Sequence, residues 1–104
     1  MKGLLLSLFA LAALPASAAD AGQRLYASCS GCHGTTGGAS IGALPALAGQ
    51  DRDVLLASLR AYKAGTRSAT VMQQLAKGYT DEQLVLMASY LAARPKAPPP
   101  RSTP

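Results

Sequence analysis

Five consecutive residues, Cys29-Ser30-Gly31-Cys32-His33, constrain this chain more than anything else in it. Side chains three apart on a helical turn share a face, so both thiols can reach one edge of a flat macrocycle. The histidine that follows can carry its imidazole under the ring centre to an iron. A Cys-x-x-Cys-His run reads as a c-type haem attachment site, with two thioether links and a proximal histidine. The competing reading is a Cys29–Cys32 disulfide or a thioredoxin-like redox pair. Such a pair belongs in a βαβ pattern, whereas no run here alternates like a strand and His33 follows directly.

The beginning of the chain predicts export. Lys2 supplies a charged n-region, Leu4 to Leu14 an uncharged apolar run, and Ala16-Ser17-Ala18 the small residues of a cleavage site. The run is shorter than the ~20 residues that span a bilayer. Residues 1–18 are therefore expected to be a cleaved signal peptide, with the cut after Ala18 or Ala19 and no membrane span afterwards. The destination is the periplasm, where thiols oxidise unless they are used.

Cleavage of 18 residues from 104 leaves 86, few enough that a staple or cofactor is commonly needed. There is no tryptophan, and Phe9, the sole phenylalanine, leaves with the leader. Four tyrosines and scattered Leu, Val, Ile, Ala and Met remain to be buried, a deficit that a large apolar haem would fill. Loss of Lys2 leaves nine Lys/Arg against five Asp/Glu, a net charge of +4. Without a dense basic run carrying aromatics, nucleic acid is not the expected partner. A weakly positive face that steers docking to an acidic redox protein is.

Along the mature chain, Asp20 is placed to cap a first helix, Ala21 to about Ser28. Gly22, four residues before Tyr26, either admits a neighbouring helix or sits in a frayed first turn. Glycine and threonine over 34–50 predict a loop, in which Ile41, Leu44 and Leu47 can pack on the haem face. The extended chain at Pro45 leaves carbonyls free, one of which could accept the second N–H of a metal-bound histidine. Asp51 caps a second helix to about Ala64, stopped by Gly65. Leu55, Leu59 and Tyr62 form its apolar stripe, and Arg52, Arg60 and Lys63 its solvated face. Residues 66–77 are irregular. Thr80 and Gln83 form a capping box for a third helix, with Leu84, Met87, Ala88 and Leu91 inward and Pro95 at its end. The Pro-rich basic segment 94–104 is expected to be extended and disordered.

His33 is the only histidine, so a second histidine ligand from this chain is excluded. The remaining strong donors are Met72 and Met87. Met87 falls on a strongly patterned helix, where methionine is ordinarily packing; Met72 lies between Gly65 and Gly78 in a segment able to lay a thioether across a ring. Met72 is therefore the expected sixth ligand, a soft donor that favours ferrous iron and raises the potential. An open sixth site would instead make a gas-binding or peroxidatic protein.

Cys29-Ser30-Gly31-Cys32-His33-Gly34, Pro45-Ala46-Leu47-Ala48-Gly49-Gln50, Ala61-Tyr62-Lys63-Ala64-Gly65-Thr66-Arg67, Met72 and the closing Ala88, Tyr90 and Leu91 together resemble a class I c-type cytochrome. The likeness is to small periplasmic single-haem proteins, to halves of two-haem ones, and to the cytochrome subunit of flavocytochrome c sulfide dehydrogenase. It covers residues 20 to about 93. It implies an all-α fold of three main helices and loops around one covalent haem c, within a domain spanning 19–93. The first and last helices would cross near the haem edge, with Gly22, Leu25 and Tyr26 meeting Tyr90 and Leu91. Cys29 and Cys32 would be the thioether sites, His33 and Met72 the axial ligands, and the Pro45 carbonyl the partner of His33. Tyr62 and Arg67 would support the haem, Arg67 near a propionate. The function implied is electron transfer rather than catalysis, between a membrane cytochrome complex and an oxidase or reductase. The alternative is an enzyme subunit that takes electrons from a flavoprotein.

If the haem completes the core, replacing both Cys29 and Cys32 leaves a largely unfolded apoprotein. Far-ultraviolet circular dichroism should then lose most of its helical signal; a compact double mutant would contradict the argument.

Overall fold

The computed structural model describes residues 12–38 and 44–98. Most of the expected leader run, Ile41 and the end of the Pro-rich segment lie outside the described residues. Among the described residues there is no strand, and no helix is long and apolar enough to cross a membrane.

The first helix, α1 (Ala18–Tyr26), starts three residues earlier than the sequence suggests. Ser17 is its cap, accepting from the Asp20 amide at 3.2 Å, while Asp20 accepts from the Ser17 amide at 3.3 Å. Asp20 is thus the far half of a capping box, and the two alanines between are strong helix formers. A 3₁₀ turn, Ala27–Cys29, and a short helix α2 (Ser30–His33) follow without a break. The Cys-x-x-Cys-His run is therefore helical and is ended by Gly34 at φ 90°.

Helix α3 (Arg52–Ala64) begins as expected at Asp51, whose carboxylate accepts from the Asp53 and Val54 amides at 2.9 and 3.0 Å. It ends at Gly65 in the left-handed conformation, φ 76°. The segment expected to be irregular contains one further helix, α4 (Met72–Ala76), because Gln73 to Ala76 are good helix formers once the chain has turned at Val71. Helix α5 (Asp81–Ala92) carries the reciprocal Thr80–Gln83 box and buries Leu84, Met87, Ala88, Tyr90 and Leu91.

Helices α1 and α5 cross at Gly22. A Cβ there would lie 2.5 Å from the Leu86 carbonyl oxygen and 2.7 Å from Tyr90 Cβ, so glycine is what permits the approach. Tyr26, 1% exposed, then stacks obliquely on Tyr90 with ring centroids 5.8 Å apart. Leu55 and Leu56 of α3 complete the cluster with Leu84 and Met87.

The basic side chains of α3 do more than face water. Arg52 donates to Ser89 Oγ at 3.0 Å, Arg60 pairs with both oxygens of Asp81 at 2.6 and 2.7 Å, and Lys63 donates to the Tyr79 carbonyl. Periodicity marks these residues as outward; it does not reveal that α5 and its approach supply acceptors along the same seam. The Arg60 guanidinium holds the Asp81 carboxyl below its usual range. Past α5 the chain stays close to the domain as far as Lys96, whose backbone would touch a Cβ at Gly49.

Gly22→Ala should cost about 2 kcal/mol, the scale of overpacking at a tight contact. The measurement is the thermal midpoint of the haem-loaded protein, with unchanged stability the contrary result.

Candidate functional site

The cysteine-histidine turn owes its position to Tyr26. From its place against α5, the Tyr26 hydroxyl donates to the Gly34 carbonyl at 2.5 Å, fastening the residue after His33. Gly37, at φ 77°, then brings its carbonyl to the Leu47 and Ala48 amides at 2.7 and 2.9 Å. A Cβ on Gly37 would lie 2.6 Å from Leu91 Cδ2, so this turn too needs glycine. Gly49 N donates to Leu91 O at 2.9 Å, and Gln50 Nε2 to Ala46 O at 2.6 Å. These bonds fix the loop that carries Pro45.

His33 is 6% exposed, and its Nδ1 lies 2.8 Å from the Pro45 carbonyl oxygen. A carbonyl only accepts, so Nδ1 carries the proton and the Nε2 lone pair is left for a metal. His33 lines a cavity of about 280 Å³ together with Cys29 and Cys32. Leu47, Leu55, Leu59, Met87 and Leu91 make much of its lining apolar, and Met72, at the first position of α4, lines it too. Burial pushes the Cys29 thiol up from its ordinary value, whereas Cys32 is exposed. Leu44, Val71 and Leu75 border the cavity and are at least one-third exposed.

Tyr62 and Arg67 also border it. Arg67 Nη1 donates to Ser58 Oγ at 2.8 Å, and its guanidinium carbon lies 4.9 Å from the Tyr62 ring centroid. The bond and the cation–π contact fix a positive charge at the rim. The bonds made by Ser58, Gln50 and the Tyr26 hydroxyl carry no sequence signal of their own. Gln50 stands in a quoted run, but its reach back to Ala46 belongs to the loop's shape.

Interiors are normally packed to the density of organic crystals. An apolar hole of this size in so small a domain, with two thiols and an imidazole of free Nε2 on its wall, fits a flat, iron-bearing, covalently held ring.

A cytochrome c family model matches residues 19–94. The chain belongs to the cytochrome c family. It is 42% identical over 69 residues to the cytochrome subunit of sulfide dehydrogenase from Chlorobaculum tepidum, which covers 66% of this chain and 62% of that one. Cytochrome c-553 from Nitratidesulfovibrio vulgaris is 41% identical over 81 residues, covering 74% of this chain and 78% of the relative. Among solved structures, reduced cytochrome c4 from Pseudomonas stutzeri superimposes with a TM-score of 0.72 at 31% identity, over 79% of this chain and 48% of that one. The chain thus spans less than two thirds of the sulfide dehydrogenase subunit and about half of the cytochrome c4 chain. The fold is that of class I cytochromes, and the cofactor is covalently bound haem c.

Burial pushes the Tyr26 phenol from its ordinary 10.0 up to about 12. Folding favours the protonated ring, so this stabilisation is fully present below pH 10 and is lost as pH rises through 12. Tyr26→Phe should melt lower at pH 8 by about 1 kcal/mol for the lost hydrogen bond, yet lose less stability than the parent between pH 9 and 12. Thermal melts across that range test it, and parallel slopes would refute it.

Proposed function

We propose that this cytochrome is a periplasmic carrier of single electrons, with Cys29 and Cys32 as its thioether sites and His33 and Met72 as its axial ligands. The observation that carries the reading is one cavity lined by the two thiols, a histidine whose Nδ1 is committed to Pro45, and a methionine. When bound, haem supplies an iron that gains and loses one electron without bond rearrangement in the protein.

The chain's own residues hold that chemistry steady. The Pro45 carbonyl orients the imidazole and makes it more basic. A thioether from Met72 favours the ferrous state and raises the potential. Leu55, Leu59 and Leu91 keep water from the cavity wall, which disfavours the more highly charged ferric state by the same argument that makes buried charge costly. Arg67, held by Ser58 and stacked on Tyr62, supplies a fixed cation for a propionate. Met87 is 2% exposed within the helical core and serves packing.

Export belongs to the same reading. Removal of residues 1–18 or 1–19 takes Ser17 from the start of α1 and leaves Asp20 in the first turn, where a carboxylate suits the helix dipole. Intact-mass measurement of the periplasmic protein locates the cut. Redox proteins are the partners; a membrane cytochrome complex as donor and an oxidase or reductase as acceptor fit a free carrier. The likeness to a sulfide dehydrogenase subunit favours a second reading, in which a flavoprotein is the donor. Purification from the periplasm separates the two: a stable complex with a flavoprotein supports the second, and a soluble monomer that reduces an oxidase sinks it.

Met72→Ala should abolish the weak far-red sulfur-to-ferric-iron band and lower the potential. Met87→Ala should keep the band while losing about 2–4 kcal/mol of stability to the cavity it leaves. A band lost from Met87→Ala and retained in Met72→Ala would reverse the assignment.

A further inference from the structure

The chain that delivers Met72 is thinly held. Among the described residues, positions 68–70 are exposed and make no hydrogen bond. Val71 precedes α4 at φ −130° and offers its helix no side-chain cap. The buried residue of α4 is Ala76, at the opposite end from Met72, and Leu75 is 49% exposed. Five residues cannot hold a helix by their own propensity. Something else must keep its first turn against the cavity.

That contact comes from Gln73. Its Nε2 donates to the Arg67 carbonyl at 2.7 Å, closing the loop between them. Arg67 is itself anchored to α3 through Ser58, Tyr62 and a 3.4 Å bond from its amide to the Ala61 carbonyl. The start of α4 is thereby tied by one amide to a residue fixed on α3, and Met72 is the immediate neighbour of that amide. The loop carrying Pro45 has a comparable glutamine, Gln50, but Gly37, Gly49 and Leu91 add backbone bonds there. Helix α4 packs on α3, and Lys63 holds the Tyr79 carbonyl beyond its far end, but among the described residues no backbone bond ties its first turn to another element.

We infer that Gln73 is a positioning residue for Met72: its bond to the Arg67 carbonyl keeps the methionine segment against the cavity, independently of the stability of the rest of the fold. The inference rests on Met72 being the sixth ligand. Loss of the bond leaves the core cluster intact and lets the first turn of α4 leave the cavity more often, by about fivefold, the factor that one ordinary hydrogen bond represents.

The test uses haem-loaded Gln73→Ala and Gln73→Glu, the second keeping length but offering the carbonyl no donor. Gln74→Ala, at an exposed neighbour, is the control. Carbon monoxide should bind the ferrous form of both Gln73 variants about fivefold faster than the parent. Their far-red band should vanish at lower temperature, while the helical circular dichroism melts where the parent's does. Parent-like carbon monoxide kinetics, a band and helix signal that fall together, or an equal effect from Gln74→Ala would each overturn the inference. Met72→Ala, run alongside, separates the two claims: if it retains the band, the ligand reading fails, whereas a lost band with parent-like Gln73 variants refutes only the positioning role.

Discussion

An apolar cavity bounded by parts of α1, α3, α4 and α5 is the constraint on which this structure depends. Residues 19–98 carry few large side chains, and several of them are arranged around the space as well as against each other. Tyr26, Leu55, Met87 and Leu91 each belong to the buried cluster and also line the cavity. An occupant therefore does not sit in a pocket of an otherwise finished domain. It supplies apolar contact to the same residues that hold the helices together, and binding free energy becomes folding free energy.

The two sides of the cavity are built differently. On the histidine side, carbonyls and amides of Gly34, Gly37, Leu47, Ala48, Gly49 and Leu91 form a continuous set of bonds around the Pro45 turn. On the methionine side, a five-residue helix follows an exposed stretch; it packs against α3, its first turn is tied to Arg67 through Gln73, and the chain beyond it is held by Lys63 at the Tyr79 carbonyl. On the proposed ligand assignment, the iron would share one donor held by many bonds and one held by fewer.

Much of this was legible in the chain because it rests on local chemistry. The Asp51 and Thr80 caps, the Gly65 stop and the inward stripe of α5 follow from side chains acting within one helical turn, and the structure has them. The glycine at 22 shows why a local rule can be insufficient: by itself it fits a crossing or a frayed turn, and it is the family likeness that points to the crossing with Tyr90 that the structure has. Ser17, the cap of α1, lies in the stretch expected to be leader, so the sequence points to Asp20 instead. Arg52, Arg60 and Lys63 read as solvent-facing because a helical wheel contains no information about acceptors on another element. Gln50 and Gln73 are silent for the same reason, since a glutamine has no pattern until the carbonyl it reaches is known.

The crossing at Gly22 has a consequence for timing. Its two sides lie about seventy residues apart in sequence, a closure whose entropic cost grows slowly with length but which delays folding. Helix α1 has nine residues, too few to persist alone in water. During synthesis the cysteine-bearing turn therefore has no surface to pack against until α5 has emerged. Until then, both thiols stay accessible on an open chain.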